Sequence, residues 1–156
     1  MDQNPSHLQQ LLQKIVTSEH ASKGNIQLYD PSLNGLKIVA QVGFEESFLK
    51  HFSVVKPFDT STCGRAFGIG STVVINDIET DIGYEANRPA AKEAGYRAVK
   101  SVPVFNNRQK CIGMISTHYA EPNWNWDTHS LLDFLPEVTL ELEALLMARP
   151  LSMQII

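Results

Sequence analysis

Cysteine is nearly absent from this chain. The two that occur, Cys63 and Cys111, form no CxxC pair and fit no Cys/His ligand spacing. A disulfide framework and a metal site are therefore not expected, and a reducing, cytoplasmic setting is. Long apolar runs are missing as well. No stretch approaches the roughly 20 residues that span a bilayer, so no membrane partner is expected. Positive charge never gathers into a patch: 13 Lys and Arg are scattered among 17 Asp and Glu, for a formal net charge of -4. That argues against a nucleic-acid surface. The opening Met1-Asp2-Gln3-Asn4-Pro5 lacks the basic and apolar regions of a signal peptide. Internal repeats and low-complexity tracts are also missing.

What is present is ordinary for a folded domain. The chain has 156 residues, 43% of them apolar and 19% charged, enough for one domain with a proper core. Asn4 and Pro5 read as a helix cap and first position. Leu8, Leu11, Leu12, Ile15 and Val16 recur at helical spacing, and Lys23-Gly24 reads as the stop of a helix over about 5–22. Asn25 to Tyr29 alternates as a half-buried strand does, and Asn34-Gly35 signals a hairpin back into Leu36–Val42. Short helices are expected at 45–52 and 63–68, the second ended by glycine, with Thr62 or Ser61 as its cap. The β-branched run Ser71–Ile78 predicts a third strand, and Asn87–Ala94 a helix stopped by Gly95. Two further strands follow, joined through Asn106-Asn107. A last helix over about 128–147 is expected from an Asp127 cap, with a wide apolar stripe and a kink or break at Pro136. A tail over 148–156 follows. Hairpins between helices predict an α+β sandwich, its terminal helices on one face of a central antiparallel sheet and its middle helices on the other.

Certain polar residues stand where core is expected. Gly113-Met114-Ile115-Ser116-Thr117-His118-Tyr119 carries Ser116 and His118 on one strand face, and Asn25 and Gln27 share a face of theirs. Buried polar groups cost roughly 1–3 kcal/mol each unless partnered. If the two faces coincide, they and Gln41 form a polar patch under the middle helices, with Arg97 and Asp77 closing its rim. Two readings remain open: a pocket for a small polar ligand, or a network that satisfies itself or holds water. Cys63 has two readings also. At a capped helix N-terminus beside Arg65 it would be a low-pKa, redox-sensing thiol; otherwise it is a small buried apolar residue. Tyr96 and Phe67 are expected in the core.

The pieces Gly24–Pro31, Ala40–Phe44, Cys63–Ala66, Val74–Ile78, Gly95–Val104 and Gly113–Tyr119, taken together, resemble a GAF domain of the bacterial kind found beside PAS domains and histidine kinases. The resemblance runs from about residue 21 to 146. It implies a five- or six-stranded antiparallel sheet with a ligand site under the middle helices. It implies a small-molecule-binding sensory module that is not an enzyme, or else a ligand-free interaction and dimerisation module. In relatives the terminal helices pair into parallel bundles, which implies a homodimer and, as output partner, a histidine kinase or other signalling protein. With no output segment of its own, the chain is expected to be a stand-alone module or one piece of a longer receptor. A third reading is a thiol switch, or an enzyme like the free methionine-R-sulfoxide reductases. Cys63-Gly64 resembles one of their cysteine positions, but the segment Asp81–Ala90, where their catalytic cysteine falls, has none. Covalent bilin attachment is not expected, because the helix that would carry its cysteine lacks one. Noncovalent haem on His118 or His51 has no support, so any cofactor is unidentified.

Overall fold

The computed structural model describes residues 6–126 and 130–148. Helix α1 (His7–Ser18) leads into strands β1 (Lys23–Asp30) and β2 (Gly35–Val42). Short helices α2 (Glu46–His51) and α3 (Thr62–Ile69), strand β3 (Val73–Ile75), a 3-10 turn (Ile82–Asn87) and helix α4 (Arg88–Ala94) follow. Strands β4 (Ala98–Phe105) and β5 (Cys111–Tyr119), a second 3-10 turn (Ser130–Phe134) and helix α5 (Leu135–Met147) complete the order. The five strands form one antiparallel sheet in the order β2-β1-β5-β4-β3. The two hairpins therefore meet through β1 and β5, at the centre.

Each face of the sheet carries its own core. On one face, Leu8, Leu11, Leu12 and Ile15 of α1 and Val138 and Leu142 of α5 pack on Ile26, Val104 and Ile115. On the other, Phe48, Phe52, Ala66, Tyr84 and Ala91 from the middle elements pack on Val99 and Met114. The α+β sandwich is thus built as expected, terminal helices on one side and short helices on the other. Strand β1 departs from the half-buried pattern. It is paired on both edges and covered on both faces, so its residues from Gly24 to Leu28 are all buried.

Several local signals resolve differently. Ser6 is the cap of α1, its hydroxyl accepting from the Gln9 amide at 3.1 Å; the Asn4-Pro5 pair lies outside the described residues. That helix ends at Ser18, with His20 in the left-handed region at φ 56°. Lys23 and Gly24 belong to β1. A Cβ on Gly24 would lie 2.8 Å from Val16 Cγ2 and 3.0 Å from the Ser116 carbonyl, so this glycine admits α1 onto the sheet. The third strand keeps only three of its eight expected residues; beyond it Asn76 accepts from the Asn123 amide and the Trp126 indole, and Asp77 from Arg97. Pro136 lies in the first turn of α5, where its missing N–H costs nothing. The break falls just before it, between the 3-10 turn and α5. The Asp127 cap and the tail beyond Ala148 lie outside the described residues.

Candidate functional site

The central strands bring the polar residues of one face together by register. Asn25 pairs with Ser116 and Ser116 with Ser101, across β1, β5 and β4. One pair further along, Lys23 faces His118 and His118 faces Val99. Alternation then turns Asn25, Gln27, Ser101, Ser116 and His118 to the short-helix side, while Ile26, Ile115 and Val102 point to the terminal helices. Ser101 and Ser116 satisfy one another, Oγ to Oγ at 2.7 Å. Asn25 Oδ1, Gln27 Oε1 and His118 Nδ1 are buried and find no hydrogen-bond partner among the described residues; Thr62 Oγ1, from α3 above, is the fourth such atom.

The roof over these groups is aromatic and neutral. Phe48 comes from α2 and Phe52 from the residue just after it, and Tyr84 and Tyr96 meet hydroxyl to hydroxyl at 2.6 Å. The His118 ring is held edge-on by Tyr96 at 4.6 Å, Phe44 at 4.8 Å and Phe48 at 5.8 Å between centroids. Burial, helped by the Lys23 charge, pushes its pKa down to about 3, so the imidazole is uncharged near neutrality. Burial pushes the Tyr96 and Tyr84 phenols up, away from ionisation. Between roof and sheet a space of about 20 Å³ remains, room for about one water.

Cys63 lines the same space, but as a thiol. Ser61 caps α3 through the Gly64 amide at 3.0 Å, as the sequence led one to expect. The Asp59 carboxylate occupies that helix end, accepting from the Ser61 amide at 2.9 Å and from its hydroxyl. Burial is the main cause that raises the Cys63 pKa, to about 11, and the Asp59 charge adds to it; the Ser61 and Gln27 side chains oppose it. The low-pKa thiol expected from the helix dipole is thus replaced by a partly buried neutral one.

The structure brings Asn25, Gln27, Cys63, Ser116 and His118 together, and leaves four candidate residues elsewhere. Gln41 sits on β2 and turns its Oε1 to the Phe44 amide at 3.0 Å, shaping the turn into α2. Arg65 points outward to a two-pronged pair with Asp81, 2.7 and 3.2 Å, and holds that carboxyl below its usual range. Arg97 and Asp77 do not close the rim. They grip each other at 2.8 and 3.1 Å at the sheet edge, and the guanidinium lowers the Asp77 pKa. His51 binds Asn87 Oδ1 at 3.1 Å from α2, outside the space. Phe67 packs edge-on to Tyr29 at 5.7 Å, in the core as expected. Tyr96 is core and lining at once. Among the described residues no three His, Cys, Asp or Glu side chains cluster as metal ligands would.

The profile of the GAF domain family matches residues 7–145. The chain belongs to the GAF domain family. No curated protein matches it. Among solved structures, it is similar to the GAF domain region of a membrane protein from Geobacter sulfurreducens, with TM-score 0.70, 14% identity, and 90% of this chain and 91% of that one covered. It is similar to a domain of a two-component sensor histidine kinase protein from Sinorhizobium meliloti, with TM-score 0.64, 14% identity and 92% of both chains covered. It is also similar in fold to a type II free methionine-R-sulfoxide reductase from Thermoplasma acidophilum, with TM-score 0.70, 16% identity, and 88% of this chain and 89% of that one covered. At such identities the likeness concerns the fold.

This GAF domain also holds features that residue patterns did not reveal. Thr62, a cap candidate by sequence, is the first residue inside α3, is 2% exposed and lines the buried space. Ser101 and Tyr84 gave no signal apart from the strand and loop in which they lie. On the opposite face, Lys100 forms a buried ion pair with Glu19 at the end of α1, and the Ser130 hydroxyl donates to the same carboxylate. A lysine between Val99 and Ser101 in an apolar strand was the one available hint. No helix of the described residues is long and apolar enough to cross a membrane.

Proposed function

We propose that this GAF domain is a non-catalytic sensory module that binds a small, uncharged, hydrogen-bonding molecule between its sheet and its short helices. One observation carries the reading: Asn25 Oδ1, Gln27 Oε1, Thr62 Oγ1 and His118 Nδ1 are buried around one space without partners among the described residues. Four such groups cost roughly 1–3 kcal/mol each unless something answers them. A guest with donor and acceptor groups would answer them together. Neutrality follows from the surroundings. His118 is uncharged, Cys63 is a thiol, and Asp59 already fills the helix end where an anion would settle. An ionised guest would meet no counter-charge in the space.

The guest reports by favouring one of two arrangements of the terminal helices, which it does only through different affinity for each. The module works in the cytoplasm as a homodimer, with a histidine kinase or other signalling protein as its partner. Native mass spectrometry of freshly purified protein, compared with a denatured sample, tests the reading. A retained small-molecule mass supports it. A bare chain, with the space shut to every neutral solute offered, rejects it.

A specific feature also favours the pure dimerisation module. Pro136, Leu140, Ala144 and Met147 form an exposed, uncharged stripe on α5, with Leu140 67% and Met147 77% exposed. A stable dimer with no retained mass would favour that module. The reductase reading has less behind it. Catalysis through Cys63 would need a thiolate, and this thiol is pushed up to about 11.

A further inference from the structure

A cleft of about 80 Å³ opens on the surface beside the buried space, bordered by Lys23, Glu45, Ser47 and Glu93. Phe48 lines the cleft and the buried space alike. Its ring stacks on Phe44 at 3.8 Å and stands edge-on to His118 at 5.8 Å, and His118 in turn pairs across the strands with Lys23. Phe48 is the lining residue that the cleft and the buried space share.

The helix that carries this ring is lightly held. α2 has six residues and no side-chain cap at its start. Among the described residues its side-chain hydrogen bonds to neighbouring elements are an exposed one from Ser47 Oγ to Glu93 Oε1, 3.0 Å, and the His51–Asn87 contact. Gly43, just before it, has φ 88°, a conformation that suits a pivot. Beyond α2 the chain is pinned again, with Val55 and Leu36 exchanging backbone hydrogen bonds of 2.8 and 3.0 Å. An uncapped start and exposed hydrogen bonds lower the free energy of local opening, and the buried Phe48 and Phe52 rings oppose it.

We propose that α2 is a gate, and that small uncharged solutes reach the buried space through the Lys23–Glu93 cleft when the Phe48 ring swings aside, with the Ser47–Glu93 bond as its latch. This deepens the sensory reading and rests on it for its purpose. The size of the closed space gives the gate its necessity. About 20 Å³ admits a water, so any larger guest requires a lining element to move, and α2 is the one whose side chain also borders the cleft. The charges at the mouth and the neutral interior together select against ions, which lose hydration inward and gain no partner.

Cys63 lies in the space and serves as a built-in reporter. In a Cys111→Ser background, its alkylation by uncharged iodoacetamide is followed by mass at about pH 9, where some thiolate forms. Iodoacetate, of similar size and negatively charged, is run beside it. Phe48→Ala should raise the iodoacetamide rate by about tenfold or more, and Ser47→Ala by a smaller factor, while iodoacetate stays slow throughout. Global unfolding is measured on each variant by denaturant. Rates unchanged in both variants, rates that merely follow global unfolding, or equal labelling by iodoacetate would each overturn the gate. The readout needs no natural guest, so its failure is distinct from the absence of a retained mass.

Discussion

His118 shows how much one buried side chain reveals. A free imidazole takes up its proton near pH 6.5, whereas here burial among three aromatic rings and the nearby Lys23 hold the pKa at about 3. The unfolded chain therefore binds this proton first as pH falls. The stability tied to the neutral ring is fully present above about pH 6.5 and drains away between there and pH 3. Wild type should lose about 2 kcal/mol more than His118→Gln between pH 7 and pH 5, in denaturant unfolding at both pH values. Equal losses would mean that the ring is solvated. Asn25, Gln27, Ser116 and His118 were legible because a strand has period two and polar residues on a buried strand face are conspicuous. Arg97, Asp77 and Arg65 misled for a related reason. A charged residue announces itself in sequence, but its partner does not, and both arginines are taken by carboxylates outside the site.

At the scale of elements, glycines determine how closely layers approach. A Cβ on Gly113 would sit 2.5 Å from the Gln27 carbonyl and 2.5 Å from Leu142 Cδ1, so it would press β5 against β1 and α5 at once. Gly113→Ala should destabilise the domain by about 1–3 kcal/mol by overpacking, measured by thermal or denaturant unfolding. An unchanged midpoint would show that α5 yields freely. Gly24 teaches the same lesson about reading sequences. A glycine signals a helix stop or a close approach with the same letter, and only the neighbouring layer decides between them. Element order and the two hairpins were readable, because Asn34-Gly35 and the alternating runs act locally. The true start of α5 was not, because Pro136 suits a first turn as well as it breaks a helix.

For the molecule as a whole, the two faces of β4 and β5 do different work. One lines the polar space; the other carries the Lys100–Glu19 pair that joins α1, the sheet and the approach to α5. Glu19→Gln leaves the buried Lys100 charge without its counter-ion and should cost about 3–5 kcal/mol, whereas replacing both residues with apolar ones should recover much of that loss in the same unfolding assay. The central claim concerns the other face: its unpaired polar groups are held ready for a guest at the expense of stability. Thr62→Val and Gln27→Leu test it most directly by thermal unfolding. If those groups await a guest, each apolar replacement relieves an unpaired atom, and the guest-free domain melts a few degrees higher. If both variants melt lower, the groups already have partners that hold the fold together, and the account of a receptive chamber is contradicted.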